Sequence, residues 1–365
     1  MKLIALKDVC KINMGQSPNS SSYNDYGDGM PFFQGNADFG ERYPITRVWC
    51  NTPTKIAQAE DILISVRAPI GALNYAKEEC CIGRGLAAIT PDRNKVSQDF
   101  IYWALKDKKA ELNDKGNGST FKAISRKILE ETMIPDINFE QQHKCAENLE
   151  KIYGIIQNRR KELLALDDLI KARFVEMFGD SASNEKGWKM NTFGDICTVR
   201  QGLQIPISKR LTEYEEDSYE YITVQYLHGG KEKEYIKSPK ESVKCTKDDI
   251  LMTRTGNTGM VVTNVEGVFH NNFFLIDFDR ERFEKDFLVE YLNLDLIQAD
   301  ITRRAGTSTI PDLNHGEFYK INVFEPPIDL QKEFDEFKMQ VDKSKLMFQK
   351  LHQKLNILRQ KAGNI

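Results

Sequence analysis

"LKDVCKINMGQ" at residues 6–16 is answered by "FGDICTVRQGL" at residues 193–203. Asp8, Cys10 and Gly15 fall on Asp195, Cys197 and Gly202 at a constant offset of 187. The echo then continues in order along the chain. "EDILISVRAPIGAL" from Glu60 matches "DDILMTRTGNTGMV" from Asp248, and "QDFIYWALKDKKAEL" from Gln98 matches "KDFLVEYLNLDLIQA" from Lys285. "GSTFKAIS" (118–125) faces "TSTIPDLN" (307–314), and "PDINFEQQ" (135–142) faces "PPIDLQKE" (326–333). Five blocks in one order, with offsets drifting only from 187 to 191, make an internal duplication.

Each copy ends in a long helical pattern. In the first, Leu149, Ile152, Ile156, Arg159, Leu163, Leu166, Ile170, Arg173 and Met177 follow a 3-4 heptad spacing. In the second, Phe337, Val341, Ser344, Phe348, Leu351, Leu355, Leu358 and Ala362 do the same. Pro135 precedes the first helix and Gly179 follows it, while Pro326 and Pro327 precede the second. A helix over 138–178 would be roughly 60 Å long, and its apolar seam needs a partner. The available partner is its own repeat. A pseudo-twofold duplication pairs the two helices antiparallel, with the globular halves at opposite ends.

Within each half, "DILISV", "LAAIT", "DILMTR" and "FFLIDF" read as strands, and the blocks from Gln98 and Lys285 read as amphipathic helices. The fold class is α+β: two similar α/β domains separated by two long helices forming an antiparallel coiled coil. The expected boundaries are 1–137 for the first domain, 138–180 for the first helix, 181–328 for the second domain and 329–365 for the second helix.

At 365 residues, with 40% apolar and 29% charged, the chain has the composition of a soluble globular protein with two cores. It carries no apolar run of membrane-spanning length and no signal-peptide pattern, so a cytoplasmic location without a membrane is expected. A net charge of −3 disfavours indiscriminate coating of nucleic acid and leaves room for local basic patches. The seven cysteines include no CxxC pair, and the five histidines are scattered, so no metal site is expected. The vicinal Cys80 and Cys81 read as small apolar groups in a strand.

Catalytic signatures are missing. "EPPI" (325–328) and "GDGM" (27–30) do not make an amino-methyltransferase motif and its cofactor loop. Pro91, Asp92, Asp107 and Lys109 imitate a nuclease spacing, but the last two fall on a helix surface and read as solvated charge. There is no Walker loop, zinc helix or nucleophile elbow, so no catalytic residue is assigned. The loops are instead rich in Gln, Asn, Ser, Thr and Arg, side chains that contact base edges and phosphates.

The blocks "GQSP", "PFFQGNADFG", "EDILISVRAPIGALNYA", "CCIGRGLAAITP" and "GNGSTFKAIS" followed by "IPDINFEQQ" resemble the specificity subunit of type I restriction-modification enzymes. The resemblance covers essentially the whole chain and is weaker in the second half, where "TRTGNTG" replaces "SVRAPIG" and "HNNFF" stands for "GRGL". It implies that each globular half is a target-recognition domain reading one part of a split double-stranded DNA sequence. It further implies that the paired helices fix the gap and dock two methyltransferase subunits. Those partners, not this chain, would hold S-adenosylmethionine, and the family also admits a restriction subunit. A specificity chain of a type II-like system and a twin-domain protein scaffold are the alternatives.

Base-side candidates in the first domain are Gln16, Gln34, Asn36, Arg67 and Arg84. Ser119, Thr120 and Lys122 beside Gly116 and Gly118 are phosphate candidates. In the second domain the candidates are Gln204, Arg254, Asn257, Asn271, Asn272, Ser308 and Thr309. Each has a structural alternative. Arg67 and Arg84 read equally as partners of buried carbonyls or carboxylates, and Gln16 and Gln34 as ordinary loop surface. Asn257, between two glycines, reads also as a turn residue at positive φ. Phe32, Phe33, Phe273 and Phe274 read as core.

Overall fold

The computed structural model describes residues 2–117, 122–227, 229, 232–306 and 311–363, with side chains through residue 349. The chain divides into two compact units, one of Met1–Arg160 with Lys350–Ile365 and one of Lys161–Gln349.

In the first unit, four antiparallel strands run in the order Cys10–Met14, Leu86–Pro91, Ile62–Ser65, Leu73–Tyr75. Every residue of Ile62–Ser65 is buried, because this sheet is covered on both faces. Ile62, Ile64, Ala87 and Ile89 point to one core with the helices Gln98–Asp107 and Arg126–Glu130. Leu63, Leu86 and Ala88 point to another, where Phe33, Cys80 and Ile82 of a second sheet lie. Period-two alternation of side chains explains why one apolar run feeds two cores. The second sheet has the order Tyr23–Asn24, Trp49–Cys50, Met30–Phe33, Cys80–Ile82, Ile56–Ala57, with one parallel pairing, Phe32 opposite Cys81. Cys80 and Cys81 are both buried strand residues, and burial pushes the Cys80 thiol up to about 12.

The second unit repeats this plan. Its four-stranded sheet runs Cys197–Gln201, Phe273–Phe278, Ile250–Thr253, Val261–Val262. Ile12 lies opposite Ile89 in one sheet, and Val199 opposite Ile276 in the other, both shifted by 187. The companion sheet again holds one parallel pairing, Tyr221 opposite Val268. The duplication therefore extends to strand register. The two amphipathic blocks are each broken rather than continuous. Gln98–Asp107 gives way to Lys109–Asp114, and Lys285–Leu292 to Asp295–Ala305, with extended backbone at Leu294.

The long helices span Phe139–Phe178 and Ile328–Gly363. In the first unit, Ala146 and Leu149 are buried in the helical core. In the second unit, Ile170, Phe174, Met177 and Phe178 of one helix join Phe334 and Val341 of the other in a single core. Arg173 pairs with Glu333 at 2.9 Å and Lys345 with Asp167 at 2.6 Å, so position falls on one helix as it rises on the other. The pairing there is antiparallel. Of the expected seam, Leu149, Ile156, Ile170, Met177 and Val341 are buried, and Ile152, Leu163, Leu166, Phe337 and Phe348 are half-buried. The side chains of Leu351, Leu355 and Leu358 lie outside the described residues.

One position departs from the heptad reading. Arg173 is half-exposed, while its neighbour Phe174 is fully buried against Phe178, Phe287 and Phe334. A straight α-helix drifts ~20° per heptad against a strict 3.5 repeat. From Leu149 to Arg173 that accumulates to ~70°, which turns the next residue toward the core.

Candidate nucleic-acid interface

The shared opening motif is architectural. Gly15 ends its strand by crossing from the first sheet to the second: Gly15 N–H donates to Leu86 O and Gln16 N–H to Ile82 O, both at 2.9 Å. A Cβ on Gly15 would stand 2.2 Å from Gly83 O. Gly202 repeats every part of this: Gly202 N–H donates to Phe273 O, Leu203 N–H donates to Phe269 O, and a Cβ would stand 2.3 Å from His270 O. Only glycine permits such backbone approach. Cys10 and Cys197 sit on the same strands with thiols raised to about 12, mainly by burial.

Beyond that crossing the first domain opens a groove of about 440 Å³, lined by Ser17, Tyr23, Phe32, Gln34, Asp38 and Arg84 among others. Tyr23 stacks on Phe32 at 4.7 Å. The Ser17 hydroxyl touches both ends of the Gln34 amide, at 2.9 and 3.1 Å. Asp38 Oδ2 accepts from the backbone N–H of Gln34 at 2.7 Å and of Gly35 at 3.2 Å. Gly83 and Gly85 press against Gln34, where added Cβ atoms would come within 2.7 Å of its Oε1 and 2.5 Å of its carbonyl. Arg84, between them, is exposed at the groove edge. Two sequence candidates, Gln34 and Arg84, are thus brought together.

The other first-domain candidates divide. Gln16 is exposed on the loop after the crossing, and half-buried Asn36 starts the turn Asn36–Asp38. Arg67 and Lys122 are exposed and adjoin, since Arg67 bridges Ala123 and Ala68 N–H donates to Lys122 O at 3.2 Å. Ser119 and Thr120 lie outside the described residues, as do Ser308 and Thr309.

In the second domain Arg254 has its guanidinium committed within the fold. Its Nε and Nη2 donate to the two carboxylate oxygens of Asp312 at 2.9 and 2.8 Å, and this guanidinium holds the Asp312 carboxyl below its usual range. Arg254 is also the counterpart of Val66, not of Arg67: Val66 N–H donates to Gly85 O, and Arg254 N–H to Asn272 O. Asn257 is exposed, and the positive φ values of its turn belong to Gly256 and Gly259. The turn therefore does not require Asn257. Gln204 is exposed, whereas Asn271 and Asn272 are half-buried. The Asn271 amide oxygen is buried without a hydrogen-bond partner. Phe33, Phe273 and Phe274 are core, and buried Phe32 also lines the groove.

Two glutamines escaped the sequence reading. Gln142 Oε1 accepts from Ser97 N–H at 2.7 Å while its Nε2 donates to Ile137 O at 2.8 Å. Gln331 accepts from Glu284 N–H at 2.9 Å and donates to Pro326 O and Arg282 O. Each caps a domain helix from the first turn of a long helix. Both first turns carry a Gln, but the block offset of 191 sets Gln331 against Glu140, whereas the caps match at an offset of 189.

Among the described residues no group of His, Cys, Asp and Glu could hold a metal ion, and no helix is long and apolar enough to cross a membrane.

The family model for the type I restriction modification DNA specificity domain matches residues 1–165 and again 185–357. The chain is 47% identical over 152 residues to the "Putative type I restriction enzyme MjaX specificity subunit" of Methanocaldococcus jannaschii, covering 42% of this chain and 36% of that protein. It is 26% identical over 251 residues to the type I restriction enzyme MjaIX specificity subunit of the same organism, covering 62% of this chain and 57% of that one. The chain thus spans from about a third to just over half of these relatives. The solved type I restriction-modification system S subunit from M. genitalium shares the fold across 99% of this chain and 94% of its own, with TM-score 0.62 at 17% identity.

Proposed function

The chain belongs to the type I restriction-modification DNA specificity family, and from that premise we propose that it is the non-catalytic DNA-reading subunit of such an enzyme. Residues 1–137 and 181–328 act as target-recognition domains, each reading one half of a bipartite double-stranded sequence. The paired helices set the unread gap and recruit two adenine-methyltransferase subunits, which bring the S-adenosylmethionine. Those partners extrude the target adenine to reach it. A restriction subunit joins the same assembly to act on unmodified DNA. Linking two readers through a rigid spacer makes the second binding event nearly intramolecular, raising affinity and selectivity together.

The observation that carries this reading is the duplicated frame, with the strand order and register of the four-stranded sheet used twice and different side chains at its loops. A repeat of that kind suits a target with two unlike halves.

The test is single-molecule mapping of adenine methylation in cells carrying this gene and its neighbouring methyltransferase gene, against a deletion of this gene alone. A split motif with a fixed gap that disappears on deletion is expected. Methylation unchanged by the deletion would refute the reading.

A further inference from the structure

We infer that Arg84 is the residue that reads a guanine in the half-site of the first domain, through a bidentate contact to that base's N7 and O6. The inference rests on the DNA-reading function proposed above and assigns one base to one side chain.

Its first support is rigidity. Gly83 N–H donates to Phe33 O at 2.8 Å, Gly85 N–H to Gln34 O at 3.1 Å and Leu86 N–H to Gly83 O at 3.0 Å. Val66 N–H closes the far side on Gly85 O at 2.9 Å, and Arg84 N–H itself rests on the Ser17 hydroxyl at 3.3 Å. The turn that carries Arg84 is therefore fixed at both ends, so its side chain starts from one defined backbone position. Pre-positioning of this kind reduces the ordering cost of binding.

The second support is availability. Gln34 and Ser17 satisfy one another, and Asp38 is held by two backbone N–H groups. Arg84 by contrast is exposed, and among the described residues its guanidinium has no ion-pair or hydrogen-bond partner. An uncommitted fork of donors at a groove edge matches the paired acceptors that guanine presents in the major groove, the commonest specific contact arginine makes.

The third support is the comparison within the chain. His270 N–H donates to Ile222 O at 3.0 Å and Arg254 N–H to Asn272 O at 2.7 Å, reproducing the hydrogen bonds of Gly83 and Val66. The equivalent of Arg84 on that conserved turn is Asn271. The two domains keep the turn and change its side chain from a guanidinium, with donors only, to a carboxamide, which sets one amino group beside an acceptor oxygen. A residue held only for backbone geometry would not need to differ.

The experiment is the same methylation mapping with full-length Arg84→Ala beside the wild type. Discrimination for guanine is expected to relax by about ten- to a hundredfold at one position of one half-site, with the other half-site and the gap unchanged. The intact second half-site reports that the variant is folded and assembled. An unchanged motif, or a partial loss spread evenly over all sites as a phosphate contact would give, overturns the inference while leaving the proposed function standing. If Ala removes all methylation, Arg84→Gln is read in its place: a guanine position that relaxes or turns toward adenine supports the assignment, and an unchanged guanine overturns it. A wild-type chain that yields no split motif refutes the DNA-reading function itself, and this inference with it.

Discussion

The two domains share a frame and differ in what they hang on it. Where each long helix meets its domain, Gln142 and Gln331 make the same cap at positions 189 apart. Their neighbours do not match. In the first domain the contact is apolar and aromatic, with Ala146, Leu149 and Trp103 buried together, Arg42 lying 4.9 Å over the Tyr102 ring, and Arg42 paired with Glu150 at 2.8 Å. In the second domain the equivalents of Ala146, Leu149 and Trp103 are Asp335, Lys338 and Glu290. There Lys338 binds Asp286 at 3.2 Å and Glu290 at 3.0 Å. Duplicated residues build the domain, and diverged residues tune it.

The reading edge shows the same division. Phe32, which stacks on Tyr23 in the first domain, is replaced by Tyr221, whose hydroxyl donates to Leu203 O at 2.8 Å and accepts from Ile205 N–H at 3.1 Å. Arg210 lies 5.0 Å over that ring and pairs with Glu234 at 3.0 Å. At this edge the second domain ties its loop down with a hydroxyl and an ion pair.

If the glycine crossing is common architecture, Gly15→Ala and Gly202→Ala should damage their domains alike. Each new Cβ would fall within 2.3 Å of a carbonyl oxygen that belongs to the paired backbone. A loss of ~3–5 kcal/mol is expected, read as a lower denaturant midpoint for that domain. A large loss at only one of the two sites would mean that the crossing is not equivalent.

The glutamine caps come next. Gln331→Leu strands the Glu284 N–H and two carbonyls in a fully buried place, and Gln142→Leu strands one N–H and one carbonyl. Losses of ~2–4 and ~1–3 kcal/mol follow from unsatisfied buried groups, measurable by thermal melts. Equal losses would contradict the larger bonding load placed on Gln331.

Leu163→Asp with Leu166→Asp tests the spacer, at positions of which Leu166 touches only the edge of the second-unit core. Both are half-buried, so the folding cost should be ~1–2 kcal/mol. The functional cost should be larger, because a broken rod no longer fixes the gap. Methylation mapping should lose the split motif while proteolysis finds both domains intact, and an unchanged motif would sink the spacer role.

Much of this was legible because local pattern recorded it. The apolar run "DILIS" is buried on both faces, as its strand composition required, and the 187-residue echo carried through to hydrogen-bond register. Contacts distant in sequence were not legible. Nothing near Arg254 announces Asp312, 58 residues later, as its partner. Phe174 was hidden by a heptad assumption that drifts over several turns, and Gln142 by resembling any surface glutamine in a first helical turn. For the candidate site, the sequence marked loop chemistry but not which side chains the fold leaves uncommitted. Arg254 and Arg84 look alike in sequence, but Arg254 is paired with the Asp312 carboxylate, whereas Arg84 is exposed and, among the described residues, in no ion pair.

The smallest effect separates the two docking contacts by pH. Burial, with Asp286 and Glu284 nearby, raises the Asp335 carboxyl to about 7, and its Oδ1 is buried without a partner. A carboxyl raised on folding adds stability that is full below its unfolded value near 4 and lost as pH climbs through 7. Asp335→Asn removes that titration. The variant should therefore gain on the wild type by ~1 kcal/mol above pH 7, discounted for partial solvent exposure, and the gain should vanish near pH 4. The first domain carries Ala146 at the equivalent position, so its melting should show no such pH-dependent step. Melts of wild type and variant at pH 4.5, 6 and 8 decide the matter, and a constant difference across that range would show that Asp335 does not titrate there.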